Sequence, residues 1–222
     1  MTPHSIWLRR LLGILFAGVL SGCSTSPEPS FDTLHHATVL VEHAKGHGTG
    51  AIIGPNAVLT ADHVVGTEPL SITFFDGRVA QGRVRWRDPL LDVALLEVAV
   101  PDGYAASKLF CGDLASGQHL LLIGHPTQSR WVAVGGYLPA TGPLEGDLVS
   151  LGFPIGLGTS GGPVFDAEGR IVGVALAILA ERASESARFD EFKDTGIGLM
   201  LPASRFCSEL EVLQSLRTPD LS

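Results

Sequence analysis

A turn rich in glycine and proline surrounds one serine of this chain. The stretch from Gly156 to Pro163 reads GLGTSGGP, and neither a helix nor an ordinary strand accommodates such a run. We therefore expect a tight irregular turn that exposes the Ser160 hydroxyl. The backbone N–H groups of Gly158 and Ser160 would then converge beside this hydroxyl, where the negative oxygen of a tetrahedral intermediate forms. The pattern indicates a nucleophilic serine with an oxyanion hole.

A serine nucleophile needs a base and an orienting acid, and candidates for both stand upstream. His63 closes an apolar, strand-like run, and imidazole exchanges protons near neutral pH. A structural histidine in the core or at its rim is the alternative role. Asp92 precedes another apolar run, so we expect its carboxylate to be partly buried and to accept a hydrogen bond from imidazole. Capping of a turn is the alternative for Asp92, and it is the preferred role for Asp88.

Short β-branched runs separated by turn residues predict a protein made mostly of strands. The chain has 222 residues, 45% of them apolar and 17% charged, with 27 glycines and 14 prolines, which suits one large domain or two small ones. The predicted strands cover residues 38–42, 50–53, 58–60, 71–75, 79–87, 93–98, 119–123, 131–137, 148–153, 163–165, 171–179 and 196–201. Apolar positions at helical spacing predict a closing helix over residues 203–216.

The formal net charge of −8 disfavours a polyanionic partner, and no basic stripe follows the chain. We therefore expect no nucleic acid partner. Four histidines, His35, His36, His43 and His47, invite a metal hypothesis, but their spacing matches no closed zinc pattern. We expect neither a metal nor a cofactor.

The N-terminus has the features of an export signal. A short basic start leads into an apolar stretch and then into Leu20-Ser21-Gly22-Cys23. This segment resembles the lipobox of bacterial lipoproteins, which implies that Cys23 is acylated and anchors the protein to a membrane surface. Ser24 in place of aspartate then implies the outer membrane if the host is Gram-negative. An ordinary secretory signal with a chance cysteine is the alternative.

Four motifs in order resemble the trypsin-like (chymotrypsin-fold) serine proteases, and among them the bacterial HtrA/Deg branch. They are TADHVV around His63, DPLLDVALL around Asp92, GTSGGP around Ser160 and IGLMLP near residue 200. The likeness covers residues 36 to 206. It implies an all-β fold of two six-stranded antiparallel β-barrels with a C-terminal helix. The expected units are a lipoprotein signal peptide (1–22), a flexible tether (23–35), the first barrel (36–100), a connector (101–117), the second barrel (118–202) and a C-terminal helix and tail (203–222).

The resemblance also implies a role for each matching residue. His63, Asp92 and Ser160 would form the catalytic triad, and the amides of Gly158 and Ser160 the oxyanion hole. The substrate pocket would be lined by Pro154, Leu176 and Gly198, among others. Because no acidic residue stands at the expected base of this pocket, we expect small or medium apolar residues before the cleaved bond.

The sequence departs from better-known relatives at three places. Thr159 stands where proteases activated by a newly cut N-terminus carry aspartate, so we expect that activation route to be absent. Because few residues follow the predicted closing helix, we expect no PDZ domain of the kind typical of HtrA proteins. A charged insertion over residues 180–194 lies near the expected cleft, and a solvated loop or short helix is its preferred interpretation.

Cys111 and Cys207 remain once Cys23 is set aside. In the implied fold the connector runs near the closing helix, so a disulfide and two buried free thiols are both compatible with the sequence.

These features together predict a membrane-tethered serine endopeptidase outside the cytoplasm that acts on polypeptides. A catalytically silent, protease-like module that binds peptides is the rival interpretation. The sequence leaves the oligomeric state open.

Overall fold

The computed structural model describes residues 29–66, 69–140, 147–182 and 192–215. The predicted signal peptide, Cys23 and the tail beyond residue 215 lie outside these residues. The described elements, in chain order, are α1 (Phe31–His36), β1 (Thr38–His43), β2 (Gly46–Gly54), β3 (Ala57–Ala61), α2 (Asp62–Val65), β4 (Leu70–Thr73), β5 (Val79–Asp88), β6 (Val93–Val98), β7 (His119–Gly124), β8 (Val132–Tyr137), β9 (Val149–Pro154), β10 (Pro163–Phe165), β11 (Ile171–Arg182), β12 (Phe192–Pro202) and α3 (Cys207–Ser215). A 3-10 turn, Ala203–Arg205, precedes α3.

The first six strands close into an antiparallel barrel with the order β1-β2-β3-β6-β5-β4. Alternate apolar residues point into it, and Val39, Val41 and Leu59 are fully buried. Gly50 on β2 faces the same interior, where an added Cβ would lie 2.7 Å from the Val58 side chain. The interior of the barrel is therefore filled by side chains.

The last six strands form an antiparallel sheet in the order β8-β7-β10-β11-β12-β9, and its edge strands β8 and β9 approach each other. Leu120, Leu122, Val164 and Met200 fill its interior and are fully buried. With one closed and one nearly closed barrel, the predicted all-β fold of two six-stranded antiparallel β-barrels with a C-terminal helix is confirmed.

One apolar cluster joins the two barrels. Ile123, Phe165 and Phe206 of the second half belong to the same buried cluster as the interior of the first barrel. Helix α3 also reaches back across the boundary, because the Arg85 guanidinium of β5 donates to the Leu213 carbonyl at 2.7 Å. A disulfide bond between Cys111 and Cys207 ties the connector to this helix.

The structure differs from the sequence predictions at four segments. His63 does not close a strand, because β3 ends at Ala61 and His63 lies in the short helix α2. Helix α1 occupies residues 31–36, although residues 23–35 were predicted as a flexible tether; Ser30 caps the helix, its Oγ accepting from the Thr33 amide at 3.2 Å. Strands β11 and β12 run to Arg182 and from Phe192, so the ends of the 180–194 insertion are strand rather than loop or helix. The closing helix begins at Cys207 after a 3-10 turn rather than at Ala203.

Candidate active site

His63 and Asp92 meet where β3 ends and β6 begins. The antiparallel register pairs Ala61 with Val93, which places the residues just beyond each strand side by side. The Asp62 amide donates to the Asp92 carbonyl at 3.1 Å, and the His63 amide donates to Asp92 Oδ1 at 2.9 Å. Asp92 has φ of 56°, a left-handed conformation that aspartate tolerates better than most residues. The backbone thus fixes the carboxylate against the histidine.

The imidazole of His63 is oriented by the same carboxylate. His63 Nδ1 donates to Asp92 Oδ2 at 2.6 Å, which leaves Nε2 as the basic nitrogen. The hydrogen bond that His63 donates to Asp92 raises the pKa of His63, partly offset by desolvation, and the charges of Asp92 and Asp62 raise it further. The His63 side chain is 48% exposed, so it is open to a ligand.

Asp88 has the turn-capping role that we preferred for it. Its Oδ1 accepts hydrogen bonds from the amides of Leu90 at 2.9 Å and Leu91 at 3.1 Å. This turn leads into Asp92 and β6.

The Ser160 turn lies on the second barrel and packs against the first. Its carbonyl accepts from the Thr49 amide of β2 at 2.8 Å. An added Cβ on Gly48 would lie 2.9 Å from the Ser160 carbonyl and 2.5 Å from Val64, the residue after His63. The serine and histidine segments therefore both pack against Gly48 of β2. Within the described residues the Ser160 hydroxyl donates to the Leu176 carbonyl at 3.3 Å, and no hydrogen bond joins it to His63.

The turn itself is built from internal hydrogen bonds. The Thr159 amide and hydroxyl both donate to the Gly156 carbonyl, at 3.1 and 2.7 Å, and the Gly162 amide donates to the Thr159 carbonyl at 2.9 Å. Gly158 has φ of 97°. Across the part of the chain that the structure describes, the Gly158 and Ser160 amides donate to no acceptor. Two N–H groups are thus left for a ligand oxygen.

The predicted pocket residues lie on neighbouring strands. Pro154 of β9 pairs with Ile197 of β12, the residue before Gly198. Gly198 is covered by Ile155, since an added Cβ would lie 2.7 Å from the Ile155 side chain. Leu176, which is 7% exposed, accepts the Ser160 hydroxyl on its carbonyl. The predicted pocket residues thus lie on the adjacent strands β9, β11 and β12, and none of them carries a charge.

Two features of the site were not predicted from the sequence. The Arg87 guanidinium forms an ion pair with both carboxylate oxygens of Asp62, the residue before His63. Thr49 and His125 are fully buried and contact the turn that carries Ser160. Each pair joins residues far apart in sequence, so no local motif revealed either one.

The four histidines considered for metal binding do not converge. His35 and His36 lie on α1, whereas His43 and His47 lie at the β1–β2 hairpin. No group of three or more His, Cys, Asp or Glu side chains in the described ranges is arranged to hold a metal ion. No described helix is both long and apolar enough to cross a membrane.

Two antiparallel barrels, with a histidine and aspartate on one and a serine turn on the other, define the chymotrypsin-like class of proteins. Residues 48–174, more than half of the chain, match the trypsin-like peptidase domain family. The protein belongs to this family.

Sequence relatives point to the HtrA/Deg group. The periplasmic pH-dependent serine endoprotease DegQ of Escherichia coli is 28% identical over 170 residues, covering 72% of this chain and 35% of the relative. The periplasmic serine endoprotease DegP of Salmonella typhimurium is 27% identical over 174 residues, covering 75% and 33%. The chain thus spans about a third of the length of these relatives.

Solved structures agree on the fold. The HtrA-type protease AlgW with tripeptide superimposes with a TM-score of 0.68 and 26% identity, over 85% of this chain and 64% of that one. The serine endoprotease from Yersinia pestis gives a TM-score of 0.64 at 21% identity, over 83% and 66%.

Proposed function

We propose that the protein is a serine endopeptidase in which Ser160 is the nucleophile, His63 the general base and Asp92 its orienting acid. The observation that carries the proposal is the 2.6 Å hydrogen bond from His63 Nδ1 to Asp92 Oδ2, beside a residue, Val64, that packs against Gly48 together with the Ser160 carbonyl. It fixes the imidazole tautomer with Nε2 unprotonated, as a base for a serine hydroxyl must be.

The proposed reaction has two halves. Ser160 Oγ attacks the peptide carbonyl carbon while its proton passes to His63 Nε2, and the resulting oxyanion accepts hydrogen bonds from the Gly158 and Ser160 amides. Collapse transfers the proton to the leaving amine and leaves an acyl group on Ser160. Water then attacks this ester with His63 again as base, and the free enzyme returns.

A fluorophosphonate probe tests the proposal directly, because it phosphonylates only activated serines. We expect labelling of the wild type, none of Ser160→Ala, and unchanged labelling of Ser107→Ala, a connector serine. Circular dichroism should show that all three proteins are folded. An unlabelled, folded wild type would contradict the proposal.

A protease-like module that binds peptides without cleaving them is the second candidate. The observation that favours it is the Ser160 hydroxyl donating to the Leu176 carbonyl rather than to His63. Catalytic hydrogen bonds often form only with substrate bound, so the triad proposal keeps priority. Peptide binding by an unlabelled wild type would support the silent module.

For substrates we propose polypeptides with a small or medium apolar residue before the cleaved bond. The apolar side chains of Ile155, which covers Gly198, and of Leu176 and Pro154 support this preference. Cleavage of a peptide library followed by mass spectrometry measures it. A strict preference for lysine or arginine would contradict it.

We further propose that the protein acts outside the cytoplasm as a lipoprotein anchored through Cys23. The lipobox-like Leu20 to Cys23 segment supports acylation, and the periplasmic relatives support the location. In cells fed an alkyne fatty acid, the wild type should be labelled and sediment with membranes, and Cys23→Ser should do neither. A labelled Cys23→Ser protein would contradict acylation at this residue.

A further inference from the structure

The turn that carries the oxyanion donors is held by residues outside it. The segment Gly124 to Thr127, which follows β7, runs alongside: the Thr127 amide donates to the Leu157 carbonyl at 2.7 Å. An added Cβ on Gly124 would lie 2.9 Å from Thr159, and one on Gly156 would lie 2.9 Å from Pro126. The space beside the turn is therefore fully occupied by this segment.

The Thr49 hydroxyl holds the centre of the turn. It donates to the Gly158 carbonyl at 2.8 Å and accepts from the His125 amide at 3.2 Å. Thr49 Oγ1 also lies 3.0 Å from His125 Nδ1. Since the one hydroxyl proton goes to Gly158, His125 Nδ1 must carry the proton of this third bond. The hydroxyl thereby makes one bond as donor and two as acceptor.

Because peptide units are planar, the orientation of the Gly158 carbonyl affects the geometry of the oxyanion hole. The Gly158–Thr159 peptide joins the peptide that carries the Gly158 N–H to the peptide that carries the Ser160 N–H, so a change in the torsion angles on either side of it changes the angle between these two N–H groups. Gly158 has no Cβ to resist that change. The carbonyls of the flanking peptides are held by the Thr127 and Gly162 amides. For the middle peptide, the restraint on the carbonyl is the Thr49 hydroxyl.

Burial keeps the His125 imidazole, which contacts the Thr49 hydroxyl, in one protonation state. Thr49 and His125 are both fully buried, and burial lowers the pKa of His125 to about 3, with the charges of Arg130 and His47 acting in the same direction. The ring is therefore neutral at ordinary pH and donates through Nδ1. The Trp131 ring packs edge-to-face on it with centroids 4.8 Å apart, and His47 Nε2 donates to the His125 carbonyl at 2.9 Å.

We propose that Thr49, with its hydroxyl oriented by His125, is a positioning residue that sets the geometry of the oxyanion hole. The proposal deepens the proposed serine endopeptidase function and rests on it. Among the described residues the Thr49 hydroxyl bonds to neither the Ser160 hydroxyl nor the His63 imidazole; it acts through the Gly158 carbonyl.

The test compares Thr49→Val, which removes the hydroxyl at nearly constant volume, with Thr49→Ser, which keeps it. Thr38→Val is the matched control, because Thr38 is fully buried and its hydroxyl donates to the Leu34 carbonyl at 3.0 Å, on α1. The readouts, on enzyme titrated for active sites, are kcat, KM and the Ki of a peptide boronic acid. The tetrahedral boronate places an oxygen in the oxyanion hole, so its Ki reports that hole and not folding.

In Thr49→Val we expect kcat to fall about tenfold or more, short of the 10²–10³ reached when an oxyanion donor is lost outright. The boronate Ki should rise by a similar factor while KM changes little. Thr49→Ser and Thr38→Val should retain wild-type kcat and Ki. Wild-type values in Thr49→Val, or the same losses in Thr38→Val, would overturn the proposal.

A second pair of variants covers the case in which Thr49→Val does not fold. His125→Leu removes the donor to Thr49, whereas His125→Asn keeps an N–H near the position of Nδ1. Lower kcat with higher boronate Ki in the leucine variant alone supports the proposal, and equal values in both overturn it. Fluorophosphonate labelling of the wild type separates the proposed function from the role of Thr49. An unlabelled wild type would contradict the proposed endopeptidase function. A labelled wild type whose Thr49 and His125 variants are unaffected would contradict only the role of Thr49.

Discussion

Asp92 adopts an uncommon backbone conformation and also accepts two hydrogen bonds from His63. Its backbone is left-handed, with φ of 56°, and its carboxylate accepts both the amide and the imidazole N–H of His63. Aspartate and asparagine tolerate this conformation, whereas a β-branched residue would be strained. Asparagine is therefore the substitution that changes the chemistry and leaves the backbone in place.

We expect Asp92→Asn to lower turnover by about 10⁴ if Asp92 controls the His63 tautomer. Because the hydrogen bond and charge of Asp92 raise the pKa of His63, their loss lowers it, and the acidic limb of the kcat/KM profile should move to lower pH. Rate measurements across pH test both effects. Asp88→Asn, at the neighbouring turn cap, is the control, and a nearly fully active Asp92→Asn would refute the role.

The ion pair between Asp62 and Arg87, beside His63, should also affect the pKa of His63. The Asp62 carboxylate raises the pKa of His63, and Arg87 partly compensates this charge through its paired hydrogen bonds. In Arg87→Gln the pKa of His63 should therefore rise, so activity at acidic pH falls while the rate on the high-pH plateau is kept.

The kcat/KM profile measures this shift. Asp62→Asn should move the acidic limb to lower pH, the opposite direction. Arg78→Gln, which breaks a comparable pair with Asp76 on the first barrel, should leave the profile unchanged. A shift of the same sign in the arginine and aspartate variants beside His63 would rule out this electrostatic account.

At the scale of elements, strands were predicted well and short helices poorly. Short β-branched runs and turn residues located all twelve described strands, with errors mainly at their ends. Helix α1 has only six residues and one fully packed side chain, Leu34, so it carries no periodic signal. Its capping serine, Ser30, was the one local cue.

An alanine substitution at Gly158 tests whether a steric clash in the Ser160 turn, rather than backbone strain alone, lowers kcat. If residue 158 kept its φ of 97° in Gly158→Ala, the new Cβ would lie 2.5 Å from the His125 carbonyl. The turn must therefore move. We expect kcat to fall by about 10²–10³, as when an oxyanion donor is lost.

Gly77→Ala is the matched control for this substitution. Gly77 has a φ of 86° and open space around its Cβ position, so alanine there has the backbone strain alone. That strain costs about 1–2 kcal/mol of stability and should leave kcat intact. Thermal unfolding and kcat measurements distinguish the two, and equal kcat in both variants would contradict the steric argument.

At the scale of the molecule, the shared core should make the two barrels unfold together. Ile123, Phe165 and Phe206 pack into the cluster that fills the first barrel, so neither half keeps its packing alone. We expect one cooperative transition in urea, with circular dichroism and tryptophan fluorescence superimposing. Two separated transitions would show independent barrels.

Sequence and structure differ most where contacts join distant parts of the chain. The Ser160 turn was predicted because its glycines and proline are adjacent, and the partners of His63 because each has its own flanking motif. The support by Thr49 and His125 joins residues separated by 76 positions, and nothing local marks it. The state of the two cysteines likewise depended on a distance that only the fold determines.

The bond between Cys111 and Cys207 also sets an order of events in biosynthesis. It closes a ring across 96 residues, and Cys207 follows all twelve described strands in the chain. A polypeptide emerging N-terminus first therefore carries an unpaired Cys111 thiol until the whole of both barrels has been made. Oxidation of Cys111 and Cys207 to the disulfide must therefore follow synthesis of both barrels, on a chain that is already able to fold.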